Sequence, residues 1–243
     1  MSNEENWGDS RWEFTKSQSK WHFDPSKPPQ PGSDSYYHIC RFDNDFTDVI
    51  ERFIPRAVAS TWSTRNNYNP RIEKEGLYSA TVEEKDLIRA GADPKMEVFK
   101  RVEAGEVELF QDIAKFLGLN EPQIKFHNQT TGQMLVWHID NFAARPERDN
   151  SFKQTEFDVN PNIMRRFAIM LADWKHGQIF QLGNATWTQW KAGDCITWDW
   201  RDMPHATCNM GWWDRPMLQI TGYATDTTNN LIKLGNKNML VTI

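Results

Sequence analysis

The stretch Gln178-Ile179-Phe180-Gln181-Leu182-Gly183-Asn184-Ala185-Thr186-Trp187 decides the fold class. A short apolar run, a Gly-Asn turn and a second short run are the texture of antiparallel β structure. The same texture extends in both directions. Strand-like runs are expected over residues 124–127, 134–140, 166–173, 178–182, 186–190, 195–200, 206–209 and 217–223. Turn residues at Thr131-Gly132, Lys175-His176-Gly177, Lys191-Ala192-Gly193-Asp194 and Asn209-Met210-Gly211 separate them. About eight short strands at this spacing make an all-β sandwich or jelly roll.

The N-terminal half reads differently. Residues 1–35 are polar and rich in Ser, Lys and Pro, an irregular arm whose aromatics Trp7, Trp12, Phe14 and Trp21 suggest packing on the body. A short strand is expected over 36–40. Phe46, Val49, Ile50 and Phe53 then recur at helical spacing as far as Pro55. A second helical region is expected from Glu83, and a third from Asp93-Pro94 to a C-cap at Gly118, with Phe99, Val102, Leu109, Phe110, Ile113, Phe116 and Leu117 as its apolar stripe. These helices are expected to brace one face of a sheet. The expected organisation is one domain over 36–243, with helical support over about 40–120 and a jelly-roll core over about 123–225.

Composition narrows the function. The 243 residues carry 33 acidic against 28 basic side chains, a formal charge of -5 without a dense basic run, so the footprint of a nucleic-acid binder is missing. No window reaches the ~18 apolar residues of a membrane span, and the first ten residues have no apolar signal core. The three cysteines Cys40, Cys195 and Cys208 lack metal-knuckle spacing and suit a reducing compartment. A soluble, cytoplasmic chain acting on a small-molecule or peptidyl substrate is expected.

One motif stands out for its chemistry. In Trp137-His138-Ile139-Asp140 an imidazole and a carboxylate lie two apart on a strand and share a face. Alone, the pair fits any strand. A second imidazole from a neighbouring strand, with His205 as the candidate, completes a two-histidine, one-carboxylate face that suits non-haem Fe(II). Arg215 stands ten residues beyond His205 in Asp214-Arg215-Pro216-Met217-Leu218-Gln219-Ile220.

The ordered set His138-x-Asp140, His205, Arg215 resembles the signature of Fe(II)- and 2-oxoglutarate-dependent oxygenases, and more distantly their aspartyl/asparaginyl and prolyl hydroxylase branches. The resemblance covers roughly residues 123–225. It implies a mostly β, cupin-like double-stranded β-helix with supporting helices. It also implies Fe(II) held by His138, Asp140 and His205, O2 as oxidant, and 2-oxoglutarate bound through its far carboxylate by Arg215. Hydroxylation of a C–H bond with release of succinate and CO2 would follow; halogenating relatives lack the carboxylate that Asp140 supplies. Where many members place a serine or threonine two residues after the arginine, this chain has Met217.

A second contact to the co-substrate must therefore come from elsewhere. Asn128, Gln129, Gln219 and Arg166, or Arg165 on the other face, are the candidates. The polar segment 141–162 follows the metal strand, and its Arg145 and Arg148, with Trp137, are the candidate substrate contacts. Trp198, Trp200, Trp212 and Trp213 flank the site in sequence, with core packing the first expectation for each. A cupin-like metalloenzyme without 2-oxoglutarate and a non-catalytic β-sandwich binding module are the alternatives.

Overall fold

The computed structural model describes residues 35–61, 93, 95–138, 163–183, 185–200, 203 and 205–243, with backbone alone at 136–138. Its strands are β1 (Tyr37–Phe42), β2 (Val58–Thr61), β3 (Glu97–Glu103), β4 (Leu119–Gln129), β5 (Met134–His138), β6 (Met164–Met170), β7 (Gln178–Leu182), β8 (Ala185–Trp187), β9 (Asp194–Thr197), β10 (His205–Asn209), β11 (Arg215–Ala224) and β12 (Leu240–Val241). The α-helices are α1 (Thr47–Phe53), α2 (Glu108–Phe116) and α3 (Asp226–Leu234), and a 3-10 turn, Ile54–Arg56, follows α1.

Two sheets face each other. The larger runs β12-β1-β9-β6-β11-β4-β3-β2 and the smaller β5-β10-β7-β8. The chain doubles back at the β7–β8 turn, so that β7 pairs with β8, β6 with β9, β5 with β10 and β4 with β11, all antiparallel. That nested pairing is a double-stranded β-helix. It brings segments distant in sequence together in the small sheet, and this is what positions the site.

Alternation explains the layers. On β6, Met164, Ala168 and Met170 face the small sheet, while Phe167 and Ile169 face the helices. On β11, Met217 goes inward, and Leu218 and Ile220 go to the helical side. The helical layer meets a core of Phe42, Phe53, Phe110, Phe126, Phe167 and Leu218. The inter-sheet core holds Phe180, Leu182, Trp187, Trp190 and Trp198 with the methionines. On β7, whose outer face is open, Gln178, Phe180 and Leu182 are buried while Ile179 and Gln181 are half-exposed, the one-sided alternation of an antiparallel sheet.

The eight strands expected after residue 122 are present with small shifts of their ends. The short helix up to Pro55 is present as α1, and Gly118 closes α2 with φ +69°. The long helix from Asp93 to Gly118 is not. Residues Glu97–Glu103 form β3, paired to β2 and β4, and only Glu108–Phe116 is helical. Phe99 and Val102 fit a helical spacing by chance, whereas pairing with β2 along one edge and with β4 along residues 100–103 of the other outweighs helical propensity. Asp93 starts a turn rather than a helix, its carboxylate accepting from Lys95 N–H at 2.8 Å and its carbonyl from Met96 N–H at 3.0 Å. The C-terminal α3 and β12 were not anticipated. Thr225 and Thr228 at the start of α3 donate their hydroxyls to the last carbonyls of α2, at Leu117 and Gly118. The arm over 1–34 and the helical region from Glu83 lie outside the described residues. Among the described residues no helix is long and apolar enough to cross a membrane.

Phe126 is wholly buried between the large sheet and the helices. Phe126→Ala is expected to destabilise the fold by about 3–5 kcal/mol, seen in urea denaturation as a lower midpoint at unchanged slope.

Candidate active site

Strand β10 lies between β5 and β7, and its first residue, His205, is opposite His138 on one side and Leu182 on the other. The pairing then shifts. Thr207 opposes Leu135, so β5 carries one more residue than β10 between these two rungs. Such a bulge lets His138 and Leu135 both oppose residues of the inward face of β10.

His205 is 4% exposed. Its Nδ1 lies 3.1 Å from the carbonyl of Met203, and because a carbonyl only accepts, Nδ1 carries the proton. Nε2 is then the nitrogen with a lone pair, the arrangement of a metal-ligating histidine oriented by a backbone carbonyl. Trp198 and Phe180 wall the ring, at 5.2 and 6.1 Å between centroids.

Arg215 opens β11 on the inward face, opposite Gln129 of β4. It is 4% exposed, and Nη2 donates to Gln129 Oε1 at 2.5 Å. Gln129 Nε2 in turn donates to Val98 O at 2.9 Å and Thr207 Oγ1 at 3.0 Å. No carboxylate pairs with Arg215 among the described residues, and its Nε and Nη1 have no hydrogen-bond partner. Burial pulls the guanidinium down to about 10, so it is still charged at neutral pH. Burial also pushes the Cys208 thiol up, so Cys208 stays neutral and supplies no counter-charge. The Phe180 ring lies 6.0 Å from the guanidinium carbon and thus stands beside both Arg215 and His205.

The turn leading into Arg215 is fixed by buried amides. Asn209 Nδ2 donates to the carbonyls of Gln129 and Trp213, both at 2.8 Å, and Gln178 Nε2 donates to those of Trp213 and Asp214 at 3.2 and 3.1 Å. Gly177 and Gly211 let two turns cross closely here, since a Cβ on Gly211 would lie 2.2 Å from His176 O.

The structure therefore brings together the backbones of His138 and His205, and the side chains of His205, Arg215 and Gln129. Other candidates are placed elsewhere. Asn128 shares the helix-facing side of β4 with Ile124 and Phe126, because alternation turns it away from Gln129. Arg166 faces inward, but its Nε donates to Thr221 Oγ1 at 3.2 Å, and Thr221 is six positions beyond Arg215, roughly 20 Å along an extended strand. Arg165 sits 3.7 Å from Asp199 instead. Gln219 is on the inward face, opposite Lys125. Trp212 and Trp213 are exposed at 85% and 54% and wall nothing. Asp140, Arg145 and Arg148 lie outside the described residues, and Trp137 is described by its backbone alone.

No family model and no curated protein sequence matches this chain. Solved structures with a similar strand arrangement include the non-heme alpha ketoglutarate dependent epimerase SnoN from nogalamycin biosynthesis, 10% identical over 89% of this chain and 84% of that one, TM-score 0.47. A viral collagen prolyl hydroxylase from Paramecium Bursaria Chlorella virus-1 is 14% identical over 57% and 85%, TM-score 0.38. A sugar phosphate isomerase from a cupin superfamily, from Silicibacter pomeroyi, is 11% identical over 53% and 66%, TM-score 0.31. These likenesses concern the arrangement of strands, and no functional conclusion rests on them.

Sequence reading passed over one inward charge. Lys125 faces the same interior as Gln129, with Glu103 at 3.6 Å from its Nζ. Burial pulls the ammonium down to about 8, with Glu103 opposing and Arg101 and Arg166 reinforcing the shift. The unfolded chain keeps this lysine protonated up to about 10.5. Between those values the unfolded state binds more protons, so this group makes stability rise with pH across that window. Lys125→Met is expected to flatten that rise and to stabilise the protein at pH 7, measured by chemical denaturation of both proteins from pH 7 to 10.5.

Proposed function

We propose that the protein is an Fe(II)- and 2-oxoglutarate-dependent dioxygenase that hydroxylates a C–H bond of an amino-acid, peptidyl or other small polar substrate, releasing succinate and CO2. The observation that carries this reading is Arg215, a buried guanidinium with two unpartnered nitrogens and, among the described residues, no carboxylate beside it; the Phe180 ring stands beside both it and His205, whose Nδ1 is held by Met203 O. A buried charge without a partner costs several kcal/mol. A carboxylate arriving with a ligand removes that cost, and a planar fork receives it in two places.

In this reading His205, His138 and Asp140 hold the iron, and Arg215 holds the far carboxylate of 2-oxoglutarate. When bound, ferrous iron supplies the electron-transfer chemistry that couples decarboxylation of the 2-oxo acid to oxidation of the substrate by O2. The chain's own part is positioning. Met203 O fixes the His205 ring through Nδ1, so Nε2 keeps one direction. Gln129 fixes the guanidinium plane through Nη2 and is itself fixed by Val98 O and Thr207 Oγ1. Phe180 and Trp198 fill the surrounding space and exclude water, which strengthens a charge pair formed there. A cupin-like metal site without 2-oxoglutarate leaves Arg215 without its anion.

Anaerobic addition of Fe(II) and 2-oxoglutarate is expected to give the weak visible metal-to-ligand band, and aerobic turnover to release succinate. Arg215→Ala is expected to weaken 2-oxoglutarate binding by roughly 10- to 100-fold or more, from about 1.5–3 kcal/mol per charged hydrogen bond. Asp140→Ala and His205→Ala are expected to abolish both band and succinate. Unchanged 2-oxoglutarate affinity in Arg215→Ala, or succinate release that survives Asp140→Ala, overturns the reading.

A further inference from the structure

A second orphaned donor stands at the same place. Trp198 follows β9 on the inward face and is 2% exposed, yet its indole Nε1–H has no hydrogen-bond partner. Two other indoles, one buried and one half-buried, are satisfied. Trp200 Nε1 donates to Met164 O at 3.1 Å, and Trp174 Nε1 donates to Gln178 O at 2.7 Å. A buried N–H left unpaired costs about 1–3 kcal/mol, and native structures keep few of them. The Trp198 ring is 5.2 Å from that of His205 and 5.5 Å from that of Phe180, whose other neighbour is Arg215. The unpaired indole and the unpaired guanidinium thus flank one phenyl ring, the indole on the imidazole side.

Resting on the reading above, we infer that Trp198 is a ligand-binding residue whose indole N–H donates to the carboxylate at the metal-facing end of 2-oxoglutarate, while Arg215 takes the far one. The site then selects a dicarboxylate by its two ends. Arg215 reads the distal charge as a fork, and Trp198 reads an oxygen near His205 as a single neutral donor. A 2-oxo monoacid satisfies Trp198 and leaves Arg215 bare; a ligand with an apolar near end does the reverse. Each leaves one buried donor group unsatisfied, which is the stronger basis for rejecting an analogue. The unpaired donors match this account, because a donor that serves only the ligand has no reason to find a partner in the chain.

The test is an anaerobic titration of the wild-type chain and Trp198→Phe with 2-oxoglutarate in the presence of Fe(II), followed by the visible band. Phenylalanine keeps an aromatic ring and removes the N–H. The variant is expected to bind roughly tenfold or more weakly, while its affinity for Fe(II) alone matches the wild type. In the wild type carrying 15N-tryptophan and Zn(II), the Trp198 indole proton, assigned by its proximity to the His205 ring, is expected to move downfield when 2-oxoglutarate is added. Equal 2-oxoglutarate affinity in the two proteins, with the wild type binding, overturns this inference and leaves the oxygenase reading standing. A wild type that binds no 2-oxoglutarate overturns both. If Trp198→Phe fails to fold, the wild-type resonance decides: movement supports the role, and an unmoved Trp198 indole proton overturns it.

Discussion

The hydrogen bond from Arg215 to Gln129 holds the interior together. Gln129 is one short side chain, yet its amide meets Arg215 of β11, Thr207 of β10 and the carbonyl of Val98 in β3, while its own backbone belongs to β4. It therefore ties the two sheets across the sandwich at the level where the guanidinium sits. The amide is held at both ends, because its oxygen accepts from the Arg215 guanidinium and its nitrogen donates to two acceptors. A guanidinium anchored through one nitrogen by a fixed amide presents the other two in a fixed plane. Preorganisation of that kind cuts the ordering cost of binding an anion.

The nested pairing of strands supplies the rest. Folding back at β7–β8 forces β5 beside β10 and β4 beside β11, so that His138 meets His205 and Gln129 meets Arg215 as consequences of one topology. His138 and His205, far apart in sequence, therefore sit on paired strands, with Arg215 on the strand after β10. Spacing within the motif reflects the length of the β10–β11 turn, which Asn209 and Gln178 hold at a constant shape.

Much of this was legible in the sequence because it is written in alternation and turns. Gln178–Leu182 alternates cleanly and is bounded by glycine on both sides, so its ends were readable to the residue. β3 was not legible. Glu97–Glu103 has apolar residues that satisfy a helical stripe as well as a strand, and only pairing with β2 and β4, distant in sequence, decides between them. Alternation shows that one of Arg165 and Arg166 faces inward, but only register, which sets Arg166 opposite Thr221, gives its position along the strand. The amide pairing of Gln129 could be guessed as polar contact, but not the orphaned state of Trp198, since an unmade hydrogen bond leaves no pattern in a sequence.

Unmade bonds are informative here where several donors gather at one place, although Asn44 Oδ1, Ser60 Oγ, Asn128 Oδ1 and Arg165 Nε also lack a partner in other parts of the fold. The inter-sheet core is filled by methionine and aromatic side chains, and in such surroundings each polar atom must find a partner or lower stability. Trp200 and Trp174 find theirs, and so do Gln178 and Asn209. Arg215 Nε and Nη1 and Trp198 Nε1 do not, and they stand around the two rings, Phe180 and His205. All three are donors, so the missing partner is an acceptor, and the one permanent charge among them is positive. A ligand that satisfies all of them is an anion with oxygens at separate places. A 2-oxo diacid is such an anion, and Arg215 underlies both that requirement and the proposed function.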